Sequence, residues 1–373
     1  MTADSRLRVL LADASDRGGI ARYSAALRAG LVSAGAEVVL AAPAPAGDPE
    51  ALLHPLRWGP DMAGRRRSAV YLRRATEVLP AARALLGALR RTRPDVAHFQ
   101  SEIVPGVDHL LLQLAGRSCP VVVTVHDPVP LEGGARAVAD QARRWRAADA
   151  LIVHADDQRF FVEASAPGVT VRVVPVDLPL GGAPLGRAES RRRLGLAPEA
   201  PVALLLGQVR PYKGLRLLSE AWPLVTKELP AAQLLVVGET YPSDDLARLR
   251  ATPSVRVVEG FLSEEDLDRW ASAADLVVLP YSAGGHSGIL HRALAAGTPV
   301  IAAPSLAEEV WRTHAGVVVP LQTQSWADAL VAALGSSPIP APKTPAGSET
   351  VSRTLEVYDE VLARRSPRRR PTP

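Results

Sequence analysis

The chain has 373 residues, of which 47% are hydrophobic but only 4% aromatic, so two domains with cores built from Leu, Val and Ala are expected. Lys and Arg number 43 against 39 Asp and Glu, a formal charge of +4 that suits an anionic small ligand or an anionic membrane surface and does not demand nucleic acid. The single cysteine, Cys119, excludes an intramolecular disulfide and a Cys-cluster zinc site.

The start, Met1 to Arg8, is polar and charged, without an apolar stretch of signal-peptide length. No run approaches the roughly 18 apolar residues of a membrane span. A soluble, cytoplasmic protein is expected.

Short apolar runs then recur: Val9–Ala12, Val38–Ala42, Val96–Phe99, Val121–Val125, Leu151–Val153 and Val171–Val174. Such runs suit strands buried on both faces of a parallel sheet. Amphipathic stretches such as Ile20–Ser33 and Glu132–Ala147 separate them. The first strand-to-helix turn lacks the GxGxxG dinucleotide pattern, which argues against a Rossmann oxidoreductase. Its Gly18 and Gly19 let a substrate approach backbone N–H groups at a helix start. His98 and Gln100 end the third run. His126 and Asp127 end the fourth, and a strand-tip His can hydrogen-bond a sugar or handle a proton. His154, at the next tip, is a weaker candidate.

Pro175–Pro184 reads as a hinge. A second series follows: Val202–Leu206, Leu234–Val237, Val255–Val258, Leu276–Leu279, Val300–Ala302 and Val317–Val319. Two successive βαβ series imply an α/β chain with two doubly wound domains. The loop Gly207–Gly214 (GQVRPYKG) joins a buried strand to a helix over Leu215–Leu229, and ligands bind at such strand ends. Arg210 offers a planar fork and Lys213 a mobile point charge, and both can reach one diphosphate. Gly238 and Glu239 form another strand-tip loop. Phe261 and Leu262 precede a helix over Ser263–Ala273, with Ser263 as N-cap and Asp266 at its third position.

The segment Leu279–Ala303 (LPYSAGGHSGILHRALAAGTPVIAA) places a helix at about Gly288–Ala296. Amides of Ser287, Gly288 and Ile289 at its start would point at an anion. Glu308 and Glu309 read as dipole-favoured charge on the following helix. After the proline-rich Gly335–Pro345 comes a helix over Glu349–Arg364, then a disordered tail, Ser366–Pro373. Arg65–Arg67, Arg73–Arg74, Arg90–Arg93 and Arg191–Arg193 lack interleaved aromatics and read as solvated faces, with an anionic acceptor or membrane-surface docking as the alternative for the group at 65–74. No HExxH, P-loop or suitably placed DxD is present, so no metal is expected.

The loop at 207–214, the segment GGIARYSAALRAGLVSAGAEVVLAAP, the run VHDPVP and the stretch AAGTPVIA together resemble group 1 (family 4-like) glycosyltransferases. The resemblance implies the GT-B fold, two facing Rossmann-like domains with an inter-domain cleft. It implies an acceptor domain at 1–177, a nucleotide-sugar domain at 178–345, and a helix at 346–365 returning to the first domain, with the tail at 366–373. It implies donor binding by Arg210, Lys213, Gly238, Phe261, Leu262, His286, Ser287, Gly288 and Ile289. Catalytic roles would fall to His126, Arg210 and Lys213, and acceptor contacts to Gly18, Gly19, His98 and Asp127. The implied reaction moves a sugar, with retention, from a nucleotide diphosphate sugar to a hydroxyl of a glycan, lipid-linked glycan or small metabolite, without metal or other cofactor. Many relatives carry two glutamates in the last segment, where this chain has Gly284 and Arg292. His286-Ser287-Gly288 resembles a Gln-Ser-Gly variant lacking the first. Arg292 would either add a cation near the phosphates or pair with a carboxylate. The departures also motivate an alternative, a non-catalytic nucleotide- or glycan-binding partner subunit.

Overall fold

A computed structural model describes residues 6–15, 18–42, 80, 82–103, 108–128, 134–178, 185–283, 287–335 and 348–365. The Arg65–Arg67 and Arg73–Arg74 groups, Gly284, His286 and the tail from Ser366 lie outside them. The chain divides into two compact units, Met1–Leu178 with Gly347–Pro373 (unit 1), and Pro179–Ala346 (unit 2).

Unit 1 alternates β1 (Arg8–Ala12), α1 (Gly18–Ser33), β2 (Glu37–Ala41), a helix α2 over 82–92, β3 (Val96–Phe99), α3 (Asp108–Ala115), β4 (Val121–Thr124), α4 (Gly134–Trp145), β5 (Ala150–Val153), α5 (Asp156–Ser165) and β6 (Thr170–Val173). Its six described strands are parallel in the order β2-β1-β3-β4-β5-β6. Every residue of β3, β4 and β5 is buried, which is why these strands read as mostly apolar runs rather than alternating ones, with His98 and Thr124 as the polar exceptions near their ends.

Unit 2 opens with α6 (Arg187–Leu194) and β7 (Val202–Leu206), then α7 (Leu215–Glu228), β8 (Gln233–Gly238), α8 (Asp244–Ala251), β9 (Val255–Glu259), α9 (Glu264–Ala273) and β10 (Leu276–Leu279). There follow α10 (Gly288–Ala296), β11 (Val300–Ala302), α11 (Ala307–Thr313), β12 (Gly316–Val318) and α12 (Thr323–Leu334). The strands are parallel in the order β12-β11-β10-β7-β8-β9. The order reverses at β7/β10, and in unit 1 at β1/β3. Loops diverge at such points and leave a crevice at the strands' carboxyl ends. The expected cap forms at α9, where Ser263 Oγ accepts the Asp266 amide at 3.1 Å. Gly297 ends α10 in the left-handed conformation at φ 70°, which a β-carbon would oppose.

One arginine cluster departs from its solvated reading. Arg191 is buried, donating to the carbonyls of Ala273, Ala197, Pro198 and Ala200 and pairing with Asp275 at 2.6 Å. Only its neighbours Arg192 and Arg193 are exposed, on Glu189. Five donors in a rigid fork let Arg191 gather carbonyls that would otherwise be buried unpaired.

The final helix, α13 (Ser348–Arg365), belongs to unit 1 and packs on α1. A β-carbon at Gly30 would collide with Val351 Cγ2, so a glycine is needed where the helices touch. Asp177 caps α13 from a distant point in the sequence. Its carboxylate accepts the Glu349 and Thr350 amides, each at 2.9 Å, and the Thr350 hydroxyl at 2.5 Å. Asp177→Ala should therefore lower the stability of unit 1 by about 2 kcal/mol, the upper range for a lost cap, as an earlier denaturation midpoint at unchanged slope.

Candidate functional site

The turn that follows β7 is shaped by glycine. Gly207 has φ 95° and Gly214 φ 73°. A β-carbon on Gly214 would run into the Pro280 carbonyl, so this loop can close on the loop after β10 only as glycine. The Ser282 amide donates to the Tyr212 carbonyl at 2.8 Å and fixes that closure. The 3-10 turn Pro211–Lys213 then turns Lys213 inward.

Lys213 is buried, with 5% exposure. Its Nζ donates to the Leu206 carbonyl at 3.2 Å and lies 4.9 Å from the centre of the Tyr281 ring. Burial pulls its pKa down to about 8, with the Arg210 charge adding to the fall and Tyr212 opposing it. Among the described residues no carboxylate pairs with it. Arg210 is held by Tyr241, its guanidinium 4.6 Å from the ring centre, and by Gln208 Oε1 at 3.2 Å. Lys213 is thus held by an aromatic face and a carbonyl, which orient it without cancelling its charge, and Arg210 lies against the Tyr241 ring beside it. An oxyanion placed there meets a desolvated ammonium and a guanidinium fork.

The start of α10 differs from expectation at one amide. Ser287 is the N-cap, its hydroxyl accepting the Leu290 amide at 3.3 Å. Its own amide donates to Glu309 Oε2 at 3.1 Å, so Ser287 does not offer that N–H to an anion. Glu309 is buried, and its other oxygen lies 2.6 Å from His291 Nε2. It is not a solvated helix charge. It ties α11 to α10. Gly288 and Ile289 are half-buried on the first turn of α10, with the Ile289 side chain against Gly207.

The two possibilities for Arg292 are resolved in favour of pairing. The side chain is wholly buried and bonds Glu264 at 2.6 Å together with Asp268, both on α9. It braces α9 against α10 and its charge is met there. Gly238, with φ 138°, is dictated by packing, since a β-carbon would overlap the Gly207 carbonyl. Phe261 is 68% exposed and Leu262 half-buried beyond β9.

In unit 1, Gly18 and Gly19 open α1 and are exposed, and Asp127 is exposed beyond β4. Asp13, quoted in the first turn but given no role by the sequence reading, organises the strand tips. It accepts the Ser15 amide at 2.9 Å and the hydroxyls of Ser24 and Ser101 at 2.7 and 2.8 Å. The histidines form a buried chain. His98 Nδ1 meets Tyr358 Oη at 2.6 Å, and Gln100 lies between His98 and His126. His126 Nδ1 meets His154 Nε2 at 3.1 Å. His98 is fully buried, and desolvation holds its pKa at about 3. It therefore stands behind the strand tips rather than among exposed acceptor groups, because the helix α13 covers it. Tyr241 and Tyr281 also escaped the sequence reading, which sees in Glu309 helix charge only. Tyr281 alone left a signal there, an aromatic directly after the Pro280 strand tip.

The family model for group 1 glycosyl transferases matches residues 200–336, and that for glycosyltransferase family 4 matches 17–176. A phosphatidyl-myo-inositol mannosyltransferase of Propionibacterium freudenreichii subsp. shermanii is 32% identical over 215 residues, 56% of this chain and 52% of that protein. A D-inositol 3-phosphate glycosyltransferase of Actinosynnema mirum is 34% identical over 202 residues, 49% of this chain and 48% of that one. The chain spans about half the length of the curated relatives it matches. Among solved structures, sucrose-phosphate synthase from Thermosynechococcus elongatus superposes with a TM-score of 0.70 at 20% identity, covering 96% of this chain and 100% of the other. WaaG, a glycosyltransferase involved in lipopolysaccharide biosynthesis, superposes at 0.62 and 17% identity, covering 95% and 98%. At these identities the structures show the fold, a two-domain GT-B arrangement. With the two doubly wound sheets and the matches to both halves, the chain belongs to the group 1, family 4-like glycosyltransferases.

Proposed function

We propose that the protein transfers a sugar from a nucleotide diphosphate sugar to a hydroxyl acceptor. The observation that carries this reading is Lys213, a cation removed from water at the β7/β10 switch point with no carboxylate among the described residues to meet it. Such a group is costly unless an anion joins it, and Arg210 beside it makes the site fit a diphosphate better than a single carboxylate. Phe261 and Leu262 lie beyond the end of β9 in the same sheet and suit the nucleoside.

Chemistry follows from where charge grows. As the bond from the sugar to the diphosphate breaks, negative charge builds on the leaving oxygens. Lys213 and Arg210 stabilise that charge more in the transition state than in the ground state, which is what accelerates a reaction. The acceptor would be held by Gly18, Gly19 and Asp127 of unit 1, with water excluded because it competes as acceptor. Retention is the stereochemical reading, with the leaving phosphate helping to remove the acceptor's proton. Among the described residues no cluster of three or more His, Cys, Asp or Glu could hold a metal, and none is required by this scheme. Two relatives act, by their names, on phosphatidyl-myo-inositol and D-inositol 3-phosphate, so a phosphorylated polyol or its lipid is the acceptor class to try first. No helix of the described residues is long and apolar enough to cross a membrane, so a lipid acceptor would be met at the membrane surface.

Calorimetry with UDP, GDP, ADP and dTDP should find one tight ligand. Replacing both Arg210 and Lys213 by Ala should weaken it by about 100-fold or more, since each charged hydrogen bond contributes ~1.5–3 kcal/mol. Absence of binding by any of the four would remove the reading, and binding without turnover of the matching sugar nucleotide would leave a non-catalytic relative.

The lowered pKa of Lys213 adds a pH dependence. Its proton is present below about 8 and lost above, so affinity should be flat between about pH 7 and 8, where the terminal phosphate (second pKa about 6) is already ionised, and fall as pH rises further. The limiting slope is about tenfold per unit, one proton per anion bound. Lys213→Arg should abolish the fall, because a guanidinium keeps its charge. Transfer rates with and without EDTA should agree within error.

A further inference from the structure

We infer that Tyr281 is a positioning residue of the proposed donor site: the face of its ring, and not its hydroxyl, holds the Lys213 ammonium in place. The inference rests on the proposed binding of a diphosphate by Lys213 and adds the residue that sets where that charge stands.

A lysine ends in a point charge on four flexible carbons, so its direction must come from its surroundings. Lys213 offers three N–H donors and has one hydrogen-bond partner among the described residues, the Leu206 carbonyl at 3.2 Å. A single bond leaves the ammonium free to swing about it. The second constraint is the Tyr281 ring, whose centre lies 4.9 Å from Nζ. The face of an aromatic ring carries negative charge and attracts a cation, more strongly where water is removed. Lys213 and Tyr281 are 5% and 4% exposed, so water screens this contact little.

The ring can orient a cation because it is itself fixed. It follows Pro280 at the tip of β10. Its carbonyl accepts the Ser305 hydroxyl at 2.8 Å, and the next residue, Ser282, donates its amide to the Tyr212 carbonyl at 2.8 Å. The Tyr212 ring meets it edge-on, with centres 5.8 Å apart. Tyr212 precedes Lys213 in the chain, so the 3-10 turn that presents the ammonium also steadies the ring on which it lies.

The hydroxyl takes no part in this hold. Lys213 makes no bond to it among the described residues. It is buried without a well-formed hydrogen bond, beside the Ser287 side chain. Burial raises its pKa well above the ordinary phenol value, so the ring carries no net negative charge that could neutralise Lys213. A phenylalanine would present the same face and would remove an unsatisfied polar atom.

The groups that face Lys213 act in opposite directions. Burial brings its pKa down to about 8, Tyr212 opposes the fall and the Arg210 charge adds to it. The Tyr281 face favours the charged form, so weakening that face must lower the pKa further. Were the ring only packing, the pKa would hold where a replacement kept water out, and rise toward the ordinary lysine value where it let water in.

The test is a pH titration, followed by NMR, of the full chain carrying 13C- and 15N-lysine, without ligand. The chain has three lysines, Lys213, Lys227 and Lys343, so the Lys213 signal is identified by its absence in Lys213→Arg. Tyr281→Phe should titrate with the wild type. Tyr281→Leu, and the chain with ring-trifluorinated phenylalanine at position 281, should titrate lower by about half a unit or more, the effect of a lost cation–π contact. Fluorine strips negative charge from the ring face and keeps its shape, so that chain decides should Tyr281→Leu not fold. A Lys213 in the fluorinated chain that titrates with or above the wild type would overturn the inference. So would a Tyr281→Phe that falls as far as the fluorinated chain, since the hydroxyl would then carry the effect. Calorimetry with inorganic pyrophosphate reads the donor site separately. At about pH 8 the fluorinated chain should bind it about twofold more weakly than Tyr281→Phe does, as the charged fraction of Lys213 falls. Failure of the wild type to bind pyrophosphate would count against the proposed function and leave the titration to decide the role of Tyr281.

Discussion

A positive charge taken out of water, with no carboxylate beside it among the described residues, is the constraint around which unit 2 is arranged. Lys213 reaches that place because Gly207 and Gly214 bend the chain through left-handed conformations and let it close on Pro280. The neighbours that hold it are an aromatic face and a carbonyl, which position an ammonium without neutralising it. A carboxylate in the same place would have given a tighter resting structure and a worse anion site.

The buried arginines of the same unit show the contrast. Arg191 gathers four carbonyls and Asp275, and Arg292 braces two helices through Glu264 and Asp268. Each is as deeply buried as Lys213 or more so, yet each has its charge met by the protein. Burial of a cation alone therefore does not mark a ligand site. What sets Lys213 apart is burial without a counter-carboxylate among the described residues, and the proposed donor site rests on that difference, since a ligand can remove the cost of an unmatched buried charge.

Unit 1 solves a different problem. Its strand tips carry polar side chains that must be satisfied without water, and they satisfy one another. Asp13 collects hydroxyls and an amide from two loops and from α1, while the three histidines, Gln100 and Tyr358 form a continuous chain behind the tips. The helix α13 completes that chain from the far end of the sequence, held in place by its Asp177 cap and by the contact at Gly30. A helix so fixed can act as a tertiary partner to residues about 260 positions away.

The strands were legible in the sequence because strands buried on both faces are apolar along nearly their whole length, as Val202–Leu206 and Val121–Val123 are. The loop Gly207–Gly214 was legible because its glycines and cations answer to local geometry, and so was the Ser263 cap. What tertiary structure alone decided was where each polar group finds its partner. The sequence could not choose between two fates for Arg292, saw only helix charge in Glu309, read Arg191 as solvated, and gave Tyr358 no role. Hydrogen bonds and ion pairs of that kind join residues remote in the chain, and no local period or spacing records which donor will face which acceptor once the sheets are packed.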